Sequence, residues 1–210
     1  MMRIDSVASR PDRGGRYAVK LSDGSTLRLY RQTVEDFALY PSKELDDAEL
    51  GRLREAAGKM SARMRAVRIV AASNVSVADL QQRLTQKGED PSQAREAVQW
   101  MQDMDLLDDE ETARMIVERC VSNGYGRARA KQALYEKKIP SSLWEAALAD
   151  YPDQMDRITE FLRSRRQALA DRKGLKRAVD ALLRKGHSYS DIQSALRKMQ
   201  IDPDDIREDE

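Results

Sequence analysis

The sequence is poor in the residues that build covalent cross-links and metal sites. One cysteine among 210 residues excludes an internal disulfide and a cysteine-based zinc site. The single histidine, His187, has no second histidine with which to share a metal ion. We interpret Cys120 and His187 as packed side chains. Because a glycine-rich phosphate loop is also missing, we expect no cofactor and no enzymatic activity.

Aromatic residues and long apolar runs are also scarce. Aromatics make up 5% of the chain, which argues against one large core. No apolar run approaches the roughly 18 residues that a membrane span needs. The first residues, Met1–Ser6, lack the apolar stretch of a signal peptide. We therefore expect a cytoplasmic protein that does not enter a membrane.

Charged residues, in contrast, account for 35% of the sequence, and their signs are segregated. Residues 89–118 hold ten acidic and two basic side chains, whereas residues 119–186 hold sixteen basic and eight acidic ones. Residues 202–210 form a further acidic stretch. Local fields steer association more than total charge does. The basic stretch is therefore the candidate for contact with an anionic partner.

The first 60 residues predict a small β structure followed by short helices. Apolar residues alternate with polar ones over 17–21 and again over 27–29, and turn-forming residues lie between them. This pattern predicts a β-hairpin, to which residues 3–7 could add a third strand. Two short helices are expected over 33–59, the first capped by Thr33 and the second ended by Gly58.

From Ser61 onward the chain repeats itself. Lys87, Lys137 and Lys185 serve as anchors, separated by 50 and 48 residues, and each has a leucine three residues before it. A serine stands five residues after each anchor, and we expect it to cap the third helix of its repeat; these serines are Ser92, Ser142 and Ser190. The predicted fold is mainly α: an elongated array of three tandem three-helix repeats preceded by an N-terminal β-hairpin and short helices.

These patterns divide the chain into five predicted parts. They are the hairpin with its helices over 1–60, the repeats over 61–108, 109–151 and 152–201, and the acidic tail over 202–210. The predicted helices are 66–72, 77–85 and 92–104 in the first repeat, 110–121, 127–136 and 141–149 in the second, and 152–169, 174–183 and 188–199 in the third.

Several short sequence segments accompany the repeats. They are Leu106–Asp109 followed by Ala113, the basic segment Tyr125–Arg129, and the segment Leu183–Ile192. With the repeats and the hairpin, they make the whole chain similar to the RecX family of bacterial regulators of the RecA recombinase. The resemblance implies a monomeric protein that binds RecA and the RecA–DNA filament and inhibits their growth and their activities in recombination, ATP hydrolysis and co-proteolysis. It also implies a role in DNA repair and the SOS response.

The basic set is the candidate partner-binding site. Arginine suits planar carboxylate and phosphate groups through its forked donors, so these residues are expected to contact acidic RecA side chains, DNA phosphate, or both. The candidates are Arg127, Arg129 and Lys131 in the second repeat and Arg163, Arg165, Arg166, Arg172, Lys173, Lys176 and Arg177 in the third.

The residues by themselves leave a second interpretation open. The basic helix expected over 127–136 could enter a DNA groove, which would make the chain a direct DNA-binding protein of the helix-turn-helix type. Against this, the helix offers few asparagine or glutamine side chains to read base edges. The acidic stretch over 89–118 would also repel DNA.

Overall fold

The structure is a computed structural model that describes residues 1–202. It divides the chain into two compact units, the first spanning Met1–Leu107 and the second beginning at Asp108. The acidic tail expected over 202–210 lies outside the described residues from position 203 onward. The chain is mostly helical with a small N-terminal antiparallel sheet, which confirms the predicted fold class.

The sheet has four strands in the order β3-β2-β1-β4. They are β1 (Met2–Val7), β2 (Arg16–Leu21), β3 (Thr26–Tyr30) and the short β4 (Glu44–Leu45). The predicted hairpin is β2–β3, and the third strand is confirmed as β1, antiparallel to β2. Strand β4 was not anticipated, because a pair of residues leaves no detectable alternation. The apolar face of the sheet is buried in one cluster, which includes Ile4, Val19 and Leu29.

Of the two short helices expected over 33–59, the first is present but without the expected cap, and the second was wrong because it belongs to a long helix. Helix α1 (Arg31–Asp36) begins after Tyr30, and Thr33 is buried inside it instead of capping it. Helix α2 (Asp47–Ala72) then runs unbroken for 26 residues, capped by Asp46, whose side chain accepts from the Glu49 N–H. Gly58 does not end this helix. The end of the flexible Gln93 side chain, from a later helix, lies against Gly58, where a Cβ would displace it.

Helices α3 (Val77–Gln86) and α4 (Pro91–Asp103) complete the first unit. Ser76 caps α3, as expected. Asp90, and not Ser92, caps α4, because Asp90 precedes Pro91 and its carboxylate accepts from the Ser92 N–H at 2.8 Å. The apolar faces of α2, α3 and α4 meet in a second buried cluster that includes Ala66, Leu84 and Met101.

The second unit contains six further α-helices in its described part. They are α5 (Asp109–Ser122), α6 (Arg127–Glu136), α7 (Trp144–Ala147), α8 (Met155–Arg163), α9 (Arg172–Arg184) and α10 (Tyr189–Lys198). Their buried residues form one cluster over 113–148 and another over 158–196. The boundaries proposed for the individual repeats stay a prediction.

Three local predictions in this unit were wrong. The expected helix over 141–149 is a 3₁₀ turn, Ser141–Leu143, followed by the short α7, and Ser142 caps nothing. Ser188 caps α10 in place of Ser190. The expected helix over 152–169 ends at Arg163, and the chain turns so that Leu169 is buried beside α9. Burial of that apolar side chain outweighs continuation of the helix.

Candidate partner-binding surface

The basic helix α6 is held at its start by the loop that follows α9. The Gly126 N–H donates to the Lys185 carbonyl at 2.9 Å, and the Ala128 N–H donates to that of Gly186 at 3.3 Å. Gly124 has a positive φ of 65°. Gly126 does not, because it is the N-cap of α6 with a φ of −78°. Glycine is needed there for space instead, since a Cβ would overlap the Gly186 carbonyl.

His187 completes this junction as a packed side chain, as expected. It is 6% exposed, and its Nε2 lies 3.1 Å from the Gly124 carbonyl oxygen. Burial lowers the pKa of His187, and the nearby Lys185 charge adds to that effect. The Gly124 hydrogen bond and Asp191 act in the opposite direction. The imidazole is therefore neutral at pH 7, with Nε2–H donating to the carbonyl.

The other isolated reactive side chain, Cys120, is also packed. It is 6% exposed within the apolar cluster of α5 and α6. Burial raises the pKa of its thiol, which keeps the sulfur protonated and unreactive. Among residues 1–202, no group of three His, Cys, Asp or Glu side chains could hold a metal ion.

A basic cavity lies beside the α6–α9 junction. Its volume is about 280 Å³, and Phe161 of α8 lines it together with Arg157, Arg165 and Lys185. The Arg165 guanidinium lies 3.7 Å from the centre of the Phe161 ring, and the Lys185 ammonium lies 5.3 Å from it. Arg165 also donates to the Ser164 hydroxyl at 3.0 Å. We call Arg157, Phe161, Arg165 and Lys185 the Phe161 cluster.

The Phe161 cluster can present several positive charges to one anionic group. Cations over an aromatic face are attracted by the ring quadrupole, so the Phe161 ring attracts both Arg165 and Lys185. Arginine forks and the lysine ammonium then remain available for carboxylate or phosphate oxygens. Glu160 is the acidic side chain among the residues that line the cavity.

The remaining candidates on α6 lie elsewhere. Arg127 is exposed and lines a separate cavity that also contains Asp153 and Asp191. Arg129 is half-buried and donates to Glu136 at 3.0 Å. Lys131 is exposed in the middle of the helix. The ion pair satisfies Arg129 within the chain, which leaves Arg127 and Lys131 as the exposed cations of α6.

The other candidates of the third repeat are all exposed. Arg163 ends α8, Arg166 stands in the following turn, and four cations occupy the first half of α9: Arg172, Lys173, Lys176 and Arg177. The ten candidates therefore do not share one cavity, since Arg165 and Arg127 line different ones. Their assignment to partner binding stays a prediction.

Three members of the Phe161 cluster were not among the residues predicted from the sequence. Arg157 and Phe161 are spaced four residues apart and share one face of α8, and Arg165 follows Phe161 by four residues in the turn after the helix. This spacing is visible in the sequence and could have identified them. Lys185 comes from the end of α9, and its approach to Phe161 depends on the tertiary fold.

The fold defines a class of protein: a mainly helical chain in which three-helix groups follow a small antiparallel sheet. Residues 108–148 match the family model described as "RecX, second three-helix domain". Among curated proteins, a regulatory protein RecX from Lactobacillus delbrueckii subsp. bulgaricus is 25% identical over 99% of this chain and 79% of its own length. The counterpart from Streptococcus gordonii is 23% identical over 92% of this chain and 77% of its own length.

Solved structures agree on the fold. A crystal structure of a regulatory protein RecX superposes with a TM-score of 0.66 at 18% identity, covering 94% of this chain and all of the other. A RecX structure from Lactobacillus salivarius gives 0.61 at 20% identity and covers 69% of this chain. Taken together, the family model over residues 108–148 and the curated relatives make the chain similar to regulatory proteins named RecX, and the solved structures show that it shares their fold. No helix of residues 1–202 is long and apolar enough to cross a membrane.

Proposed function

We propose that this chain modulates a RecA-type recombinase without catalysing a reaction itself. In this proposal it acts in the bacterial cytoplasm as a monomer, binds RecA and the RecA–DNA filament, and inhibits filament growth and the activities that depend on the filament. The observation that carries the proposal is the similarity to RecX regulatory proteins along 92–99% of the chain. The basic stretch over residues 119–186 supports it, because a filament of protein and DNA presents anionic groups.

The Phe161 cluster is the centre of the proposed contact. Its cations occupy a concave site and are spaced by a ring. Arg157 and Arg165 are exposed and Lys185 is half-buried, so an anionic partner gains from several cations that converge on one cavity. Cations on exposed helical faces, such as Lys131 and Lys176, are expected to speed association rather than to hold the complex.

The test is ATP hydrolysis by RecA on single-stranded DNA, titrated with this protein. We expect the native chain to inhibit hydrolysis. The double variant Arg157→Glu/Arg165→Glu should need about tenfold more protein for the same inhibition, since reversal of contacting charges weakens binding by about 1.4 kcal/mol. A matched control is Arg10→Glu/Arg13→Glu, which reverses two exposed cations of the β1–β2 loop. The control should inhibit like the native chain.

Other results from the same experiments would contradict these assignments. A native chain that leaves RecA hydrolysis unchanged at saturating concentration would refute RecA modulation. Equal weakening in both double variants would refute the assignment of the Phe161 cluster. Tight, sequence-specific binding to duplex DNA in a gel shift without RecA would instead support the helix-turn-helix interpretation.

A further inference from the structure

A second concentration of positive charge lies in the first unit, where no basic stretch is visible in the sequence. Cations from three separate segments line one cleft of about 460 Å³. Arg16 comes from β2, Arg65 and Arg68 from α2, and Arg83 and Lys87 from the end of α3. Their dispersal along the chain explains why charge counting over consecutive residues does not detect them.

Three of these cations are matched by carboxylates of the chain. Arg16 lies 3.1 Å from Asp12, and Arg83 lies 2.8 Å from Asp79. Arg65 pairs with Glu89, which is 9% exposed. These ion pairs fix the walls of the cleft, because each joins side chains into one geometry.

The other two cations have no such match. Arg68 donates to the Tyr30 hydroxyl at 3.1 Å, and Lys87 is exposed at the C-cap of α3. Within residues 1–202, neither has a carboxylate at ion-pair distance. The cleft therefore has two cations, Arg68 and Lys87, whose charge no carboxylate of the described residues offsets.

We propose that this cleft binds phosphate groups of a nucleic-acid strand. The guanidinium of Arg68 offers a planar fork for phosphate oxygens, and the Lys87 ammonium offers a point charge for a neighbouring phosphate. Ile69 and Ala72 form an apolar part of the wall between the cations. Such a surface suits the sugar and base that separate successive phosphates better than it suits a carboxylate-rich peptide.

The site is independent of the proposed function. It lies entirely in the first unit, and its ligand is read out with nucleic acid in the absence of RecA. Phosphate contacts position a strand without reading its sequence. The proposed site is therefore expected to be tolerant of sequence and sensitive to salt.

The experiment measures anisotropy of a fluorescein-labelled oligothymidylate titrated with the full chain over a range of salt concentrations. The variant Arg68→Glu/Lys87→Glu should bind about tenfold more weakly. The slope of log affinity against log salt should become shallower by about two, one for each phosphate that its cation no longer neutralises. The matched control Arg52→Glu/Arg95→Glu changes the net charge equally at exposed positions of the same unit and should keep the native slope.

A single variant controls for misfolding of the double variant. Lys87→Glu alters an exposed side chain and leaves the hydrogen bond between Arg68 and Tyr30 in place, and it should make the slope shallower by about one. Unchanged affinity and slope in this variant and in the double variant would overturn the proposal. So would an equally large effect in the Arg52→Glu/Arg95→Glu control, which would show a long-range charge effect. Polyglutamate that displaces the oligonucleotide from the native chain but not from Lys87→Glu would assign the cleft to an acidic peptide instead.

Discussion

At the residue scale, His187 couples the packing of the second unit to pH. The folded protein buries this imidazole against the Gly124 carbonyl, and burial lowers its pKa below 6.5. The unfolded chain therefore takes up a proton at a pH where the folded chain does not. The free energy of unfolding must then decrease as the pH falls from 6.5 toward the folded pKa, and this contribution is fully present above 6.5.

This dependence can be measured by urea denaturation of the native chain between about pH 7 and about pH 5. His187→Gln keeps an N–H donor of similar reach and removes the titration. Since His187 is the only histidine of the sequence, the variant should flatten the pH dependence in this window. A variant as pH-dependent as the native chain would show that other groups cause the effect.

At the scale of single elements, α2 has a glycine that costs stability without a packing role. A Cβ at Gly51 would meet nothing within 4 Å, and the residue lies inside the helix. Gly51→Ala should raise the free energy of unfolding by about 0.5–1 kcal/mol, because alanine loses less backbone entropy in a helix. Gly174→Ala in α9 is the contrasting variant: its Cβ would overlap the Ala168 carbonyl, so it should lower stability. Thermal unfolding of both variants checks the pair, and stabilisation by Gly174→Ala would contradict it.

The elements also show what sequence patterns can and cannot predict. Helix α6 has the predicted bounds, since Gly126 and the residues after Glu136 mark its ends locally. The break expected at Gly58 is absent, because the later part of α2 packs with α3 and α4 in one buried cluster, a long-range contact that periodicity does not encode. The cap at Asp90 was predictable from Pro91, whereas the burial of Leu169 depends on α9.

The candidate sites also have a part that the sequence predicts and a part that it does not. The basic residues of α8 and α9 are visible as a charged stretch, and the spacing of Arg157, Phe161 and Arg165 can be recognised without a structure. The approach of Lys185 to Phe161, and the convergence of the cations from β2, α2 and α3 on one cleft, require the folded chain. Charge that is contiguous in sequence can be predicted, but charge assembled from distant segments cannot.

At the scale of the whole molecule, each unit has its own buried clusters. The clusters of the sheet and of α2–α4 draw all their residues from Met1–Leu107, and those of α5–α10 draw theirs from the chain after it. A segment with a complete core is able to fold by itself. We therefore expect a fragment beginning at Asp108 to be helical and to unfold cooperatively when it is expressed alone. Circular dichroism during urea titration measures this, with the full chain as reference. A fragment without a cooperative transition would show that the second unit needs the first, and inhibition of RecA by a folded fragment would locate the regulatory contact in the second unit.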